Sequence, residues 1–218
     1  MREILNNKIT LMIFILIAFL LVSACGNESG KTKKHTLPLK VYTTIAPLSD
    51  FAKRIGGDDV EVQSILPPGV DAHTFEPTSK QIVEIAKADS FIYNGLGMES
   101  YAVKIADSLK GEDVLILQAA KNVSTVKGET HEDEHDHGDN DPHVWLDPIR
   151  AITIAENIKD ALIQLHPDGK QLYEKNFNAL KDDLKDLDHE FRKLTEAKKI
   201  RKWSFPTLLT VIGKTAMA

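Results

Sequence analysis

Cysteine is almost absent, with Cys25 the only one in 218 residues, which excludes an intramolecular disulfide and any multi-cysteine zinc site. Positive charge is not in excess either. The formal net charge is −5, and it becomes −6 once Arg2, Lys8 and Glu3 are set aside with residues 1–24. Phosphate binding wants a local surplus of Lys and Arg, so a duplex-binding surface and nucleic acid as a partner are excluded. There is no Gly-rich nucleotide loop and no nucleophile triad. The one long apolar run, Ile9 to Val22, falls short of the roughly 20 residues that a helix needs to span a bilayer comfortably. What is present is an ordinary globular balance, 42% hydrophobic and 27% charged, which rules out disorder and collagen-like repeats. The length suits one large domain or two small ones. Any metal must be held by His, Asp and Glu.

The first 25 residues set the expected compartment. Arg2 and Lys8 precede the apolar run, and Ser23-Ala24-Cys25 follows it before a polar stretch from Gly26 to Lys34. A basic segment, an apolar segment and a small-residue cleavage site make up a signal peptide, expected over residues 1–24. Val22-Ser23-Ala24-Cys25 resembles the bacterial lipobox, in which the cysteine becomes the lipidated first residue, so Cys25 is the expected lipid anchor. Residues 25–39 are then a flexible tether between membrane and domain, and the chain is extracytoplasmic and lipid-anchored.

From Leu39 onward, short β-branched runs alternate with longer amphipathic stretches, the pattern of repeated βα units on a parallel sheet. Lys40–Ile45, Val60–Leu66, Ser90–Asn94 and Val114–Gln118 read as strands. Helices are expected from Pro47 to Ile55, Ser79 to Ala88 and Glu99 to Leu109. The fold class is therefore α/β, an N-terminal lobe over residues 40–147 with a four-stranded parallel sheet flanked by helices. A helical hairpin over residues 148–199 follows. Pro148 opens its first helix, with Ile152, Ala155, Ile158 and Leu162 on one face, and His166-Pro167-Asp168-Gly169 ends it. The second helix carries Tyr173, Phe177, Leu180, Leu184, Leu187, Phe191 and Leu194 in steps of four and three. That seam suits either a coiled coil or a long helix packed on its own domain and linking two lobes, about 45 Å from Lys170 to Lys199 at roughly 1.5 Å per residue.

Residues 129–143 hold seven acids and four histidines, with no Lys or Arg; residues 129–142 are therefore expected to be an exposed acidic loop, since nothing there can enter a core. Two other histidines are placed differently. His73 lies just past the second strand, at the carboxyl edge where ligands bind open α/β sheets, in a loop stiffened by Pro67, Pro68 and Gly69. Taken alone it also reads as a solvated loop histidine. His143 lies before Pro148, with Val144-Trp145-Leu146 to anchor it and Asp141 and Asp147 on either side to orient the ring. Two imidazoles on one sheet edge favour a metal site.

His73-Thr74-Phe75-Glu76-Pro77-Thr78 and Asp141-Pro142-His143-Val144-Trp145-Leu146-Asp147-Pro148 resemble the two N-terminal ligand motifs of the zinc and manganese solute-binding lipoproteins of ABC importers. Asn94-Gly95-Leu96-Gly97-Met98-Glu99 is similar to another of that family's segments. The resemblance covers nearly all of residues 21–199. It implies two α/β lobes joined by a long helix, metal in the cleft between them, and three histidines plus an acid as ligands, two of which map onto His73 and His143. It also implies a monomer that delivers metal to an ABC permease in the membrane. An adhesin is the alternative from another class, because relatives of the family carry that label; a metalloenzyme comes third.

The acidic histidine loop is seen mainly on the zinc side of that family. Neutral imidazole suits Zn²⁺, whereas Mn²⁺ prefers carboxylate and water, so Zn²⁺ is the expected metal with Mn²⁺ as the alternative. His131, His135 and His137 are expected to catch Zn²⁺ weakly and pass it to the cleft, and protonation is expected to weaken binding near pH 6. His131-Glu132-Asp133-Glu134-His135 matches the H-E-x-x-H pattern of zinc proteases. That motif needs a helix with an apolar face, and these flanks are acidic and Gly-rich. His35, His166 and His189 are expected to be solvated, in the tether, at a helix end and on an acidic helix face.

After Lys199 the pattern departs from the family. Residues 200–218 contain no acid, and in a shifted reading frame Phe205–Lys214 can encode Ser-His-Ala-Ala-Tyr-Gly-Tyr-Trp-Glu, which resembles the family's third ligand segment. The tail over 200–218 thus reads as aberrant and frameshifted, with the second lobe absent. On that reading Zn²⁺ binding is weakened, and Phe177, Leu184 and Phe191 lose part of their packing surface.

Overall fold

The computed structural model describes residues 35–125 and 141–198. Cys25 and the signal segment, His131, His135 and His137, and the tail from residue 199 lie outside the described residues.

Four strands form the sheet: β1 (Leu39–Thr43), β2 (Val60–Ser64), β3 (Ser90–Tyr93) and β4 (Leu115–Gln118). All are parallel, in the order β2-β1-β3-β4, with Leu39 opposite Val60, Val41 opposite Ser90 and Ser90 opposite Leu115. Crossovers run from β1 first to one side and then to the other, which places a topological switch point between β1 and β3. Every residue of β3 is buried, as a central strand covered on both faces requires.

Helices cover both faces. On one, α1 (Ala46–Gly56), α4 (Pro148–Leu165) and α5 (Lys170–Lys198) share a core with Leu39, Val41 and Ile92. On the other, α2 (Ser79–Ile85) and α3 (Ser100–Ser108) cover Phe91 and Tyr93. Local sequence explains the helix ends. Pro47 preorganises the first turn of α1, whose Leu48, Phe51, Ala52 and Ile55 are buried at helical spacing. Thr78 and Gln81 form a reciprocal capping box at α2. Asp147 caps α4 by accepting from the backbone N–H groups of Ile149 and Arg150.

Several expectations are corrected. The tether does not extend to residue 39, because Leu39 is fully buried in β1. His35 is docked rather than solvated: its Nδ1 lies 2.5 Å from Asp89 Oδ1, while Asp89 Oδ2 accepts from the Lys40 backbone. His166 is held too. Tyr173 is fully buried, so its hydroxyl needs partners, and it finds His166 Nδ1 at 3.0 Å and Asp59 Oδ2 at 3.2 Å. His189 is exposed, as expected.

The seam of α5 divides in two. Tyr173, Phe177, Leu180 and Leu184 are buried against α1 and α4, so Phe177 and Leu184 do not lose the packing expected of them. Leu187 and Leu194 are 41% and 39% exposed, which marks where this lobe stops covering the helix.

Candidate metal centre

Asp71 shapes the loop that carries His73. Its carboxylate accepts from the His73 backbone N–H and the Thr74 hydroxyl, both at 3.1 Å, and its carbonyl accepts from the Phe75 N–H. Phe75 then lies edge-on against Tyr101, with ring centroids 5.4 Å apart. Gln81, from the capping box of α2, donates to the Ile65 carbonyl and ties the two ends of the loop together. These bonds add to the stiffness expected from Pro67 and Pro68.

His143 sits just before a single 3-10 turn, Val144–Leu146, whose Val144 is buried in the core. Asp141 Oδ1 accepts from both the His143 backbone N–H, at 2.9 Å, and its Nδ1, at 2.7 Å. Partial burial pushes the Asp141 carboxyl up, but the two hydrogen bonds from His143, with the charges of His143 and Arg150, outweigh it and hold the group below the usual aspartate range. An ionised carboxylate only accepts, so Nδ1 of His143 carries a proton, and whenever the ring is neutral its lone pair is on Nε2. Asp147 does not orient the ring as expected; it is occupied as the cap of α4.

The two rings meet. His73 Nε2 and His143 Nε2 are 3.4 Å apart, with ring planes tilted by 66°. Two nitrogens at Zn–N lengths of about 2.0–2.1 Å and a tetrahedral angle are separated by about 3.3–3.4 Å. The observed pair thus has the length of one edge of a zinc coordination tetrahedron. Among the described residues there is no cluster of three or more His, Cys, Asp or Glu suited to a metal, so the described lobe offers two imidazoles.

The turn after β3, which reaches the His143 segment through Asn94, is held by a buried acid that the sequence left without a role. Glu99 is 2% exposed and accepts from the Thr44 hydroxyl at 2.5 Å and from the backbone N–H groups of Asn94 and Gly95, both at 3.0 Å. Burial pushes its pKa up, and these bonds only partly offset that. The turn is tight. Gly95, Leu96 and Gly97 all have positive φ, and a Cβ on Gly95 would lie 2.4 Å from Gln118. An acid two residues after a Gly-x-Gly that ends an apolar strand was the available signal. Asn94, itself fully buried, donates from Nδ2 to the carbonyls of Gly95 and Pro142, each at 3.0 Å.

Residues 41–205 match the family model described as zinc-uptake complex component A, periplasmic. This chain belongs to the zinc-uptake complex component A family. Its relatives include the zinc-binding lipoprotein AdcA of Streptococcus pneumoniae, 36% identical over 200 residues that make up 88% of this chain and 39% of AdcA. The high-affinity zinc uptake system protein ZnuA of Bacillus subtilis is 37% identical over 216 residues, 94% of this chain and 66% of ZnuA. The manganese ABC transporter substrate-binding lipoprotein scaA of Streptococcus gordonii is 31% identical over 205 residues, 89% of this chain and 64% of scaA. The chain therefore spans between about two fifths and two thirds of the length of these relatives. The crystal structure of Zn(II)-bound AdcA superposes with a TM-score of 0.63 at 34% identity, over 70% of this chain and 32% of that one. The α/β architecture of this family member is thus shared with the matched part of AdcA.

Proposed function

We propose that this chain captures Zn²⁺ outside the membrane, as the solute-binding lipoprotein of an ABC importer, and presents the ion to the permease. Binding is its task, and no bond is made or broken. His73 and His143 supply two Nε2 ligands from one lobe, and zinc is the cargo they hold. His131, His135 and His137, in the acidic segment of the sequence, act as weaker collecting ligands for the same ion. Cys25 is the lipid attachment point, which keeps the domain at the extracytoplasmic face.

The observation that carries this reading is the 3.4 Å spacing of the two Nε2 atoms, with Asp141 fixing the tautomer of His143. Membership of a zinc-uptake family supports the choice of metal. Competition titration against a chromogenic chelator tests it. Zn²⁺ binding by the wild-type chain should weaken at least tenfold in His73→Ala and in His143→Ala, since each removes one ligand. Binding that is unchanged in both variants would overturn the assignment.

Manganese is the second reading, favoured by the relative named for manganese transport. The same titration with Mn²⁺ separates the two. Two imidazoles favour Zn²⁺ over Mn²⁺, so Mn²⁺ should compete poorly at equal concentration.

A further inference from the structure

The loop that holds His143 is fixed from the sheet as well as from within, and the residue that does this is Asn94. We infer that Asn94 is a positioning residue for metal binding: it clamps the Pro142–His143 peptide and so sets where the His143 ring meets His73. This inference rests on the assignment of His73 and His143 as ligands.

The geometry is specific to one peptide group. The carbonyl of Pro142 is bonded directly to the backbone nitrogen of His143. Asn94 Nδ2 holds that carbonyl oxygen at 3.0 Å, and Asp141 Oδ1 holds the N–H at the other end at 2.9 Å. Pinned at both ends, the peptide plane cannot rotate without breaking a hydrogen bond. The ring of His143 is then fixed by its own Nδ1 bond to Asp141.

Asn94 is itself immobilised by the sheet. Its backbone carbonyl accepts from Ala120 N–H, next to the end of β4, and its N–H donates to the buried Glu99. Thr44, just past β1, donates to the same carboxylate oxygen. The position of His143 is thereby referred to three strand ends, at the switch point where β1 and β3 diverge. The orientation of the carboxamide is settled by chemistry, because two carbonyl oxygens face Nδ2 and only an N–H₂ group can meet them.

The energetics favour positioning over packing. Asn94 Oδ1 is buried with no hydrogen-bond partner among the described residues. A buried unsatisfied acceptor is costly, so an asparagine here works against stability on its oxygen side while its two donors link the turn to the histidine segment. A side chain chosen only to fill this space would be apolar.

Two variants and one wild-type measurement test the inference on the full chain. Asn94→Ala removes both donors, and Asn94→Leu removes them while retaining volume. In each, Zn²⁺ affinity should fall about 10- to 100-fold, the range seen when partners that orient a metal's ligands are lost. Before metal is added, the imidazole and amide NMR signals of His143 should move while the amides of α1 and α4 stay in place. Loss of stability alone would not produce that selectivity. Folded variants with wild-type zinc affinity and unmoved His143 signals would overturn the inference. If both variants fail to fold, the wild-type protein decides: slow-exchanging Asn94 side-chain amide protons with a cross-relaxation contact to the His143 Hα, which lies on the carbonyl side of the peptide, are expected, and their absence contradicts the clamp. Failure of the metal assignment is distinguishable, because His73→Ala and His143→Ala would then leave zinc affinity intact whatever Asn94 does.

Discussion

His73 and His143, separated by 70 positions in the chain, bring their Nε2 atoms within 3.4 Å of each other. One loop follows β2 and the other precedes α4, so the meeting is a product of the sheet that seats both. The spacing matches two vertices of a zinc tetrahedron, about 3.3–3.4 Å, and is long for an N–H···N hydrogen bond. The arrangement suits a cation better than it suits the two rings alone.

Asp141 is the orienting group for His143. Replacing it with Ala removes the acceptor of the ring Nδ1 proton and of the His143 N–H. Zinc affinity is expected to fall about 10- to 100-fold. The carboxylate is half exposed, so the urea midpoint should move by much less than that of Leu180→Ala. Equal zinc affinity in Asp141→Ala and wild type would show that the ring needs no such guide.

Glu99 is a structural anchor whose loss should be costly. Glu99→Ala strands the Asn94 and Gly95 N–H groups and the Thr44 hydroxyl, and stability is expected to fall by about 3–5 kcal/mol in chemical denaturation. A loss below about 1 kcal/mol would mean that water replaces the carboxylate readily.

Glu99 also predicts a pH slope of known sign. Its folded-state pKa is raised by burial above the ordinary 4.5, so the native state holds this proton more tightly than the unfolded chain does. The contribution to stability is fully present below 4.5 and declines as pH rises through the raised folded-state value. Glu99→Gln has no such proton to lose. The stability of wild type relative to Glu99→Gln should therefore fall as pH is raised from 4.5, as read by urea melts at several pH values. A difference that grows with pH would contradict the sign.

The two halves of the α5 seam should respond differently to truncation. Leu180 is fully buried and Leu187 is 41% exposed. Leu180→Ala is expected to cost about 2–5 kcal/mol, and Leu187→Ala no more than about 0.5 kcal/mol. Equal losses would place Leu187 in a covered environment in solution.

Much of the fold was legible because its signals are local. Alternation of β-branched runs with helical spacing gave four strands and their helices, and the caps at Pro47, Thr78 and Asp147 act within a few residues of their targets. β1, β2 and β3 end one or two residues sooner than their apolar runs suggest, whereas β4 ends at Gln118 as expected; just past the end of β1, Thr44 turns its hydroxyl to Glu99. His73 and His143 were legible by type and by their place at strand-to-helix turns. Their partners were less so. Asn94 reaches Pro142 across 48 positions, His35 reaches Asp89 across 54, and Tyr173 reaches Asp59 across 114. Polar pairings of that range depend on where the sheet carries each residue, and a single sequence does not state them. The acid at position 99 is the clearest case, since a buried carboxylate is expected only where donors converge, and here three do.

Nitrogen NMR of the ¹⁵N-histidine-labelled chain during zinc titration tests the central claim most directly. With one equivalent of Zn²⁺, the Nε2 signals of His73 and His143 should shift together as metal-bound nitrogens, while Nδ1 of His143 stays protonated toward Asp141. Zinc that saturates the chain while both Nε2 signals stay in place, or that binds His143 through Nδ1, would contradict it.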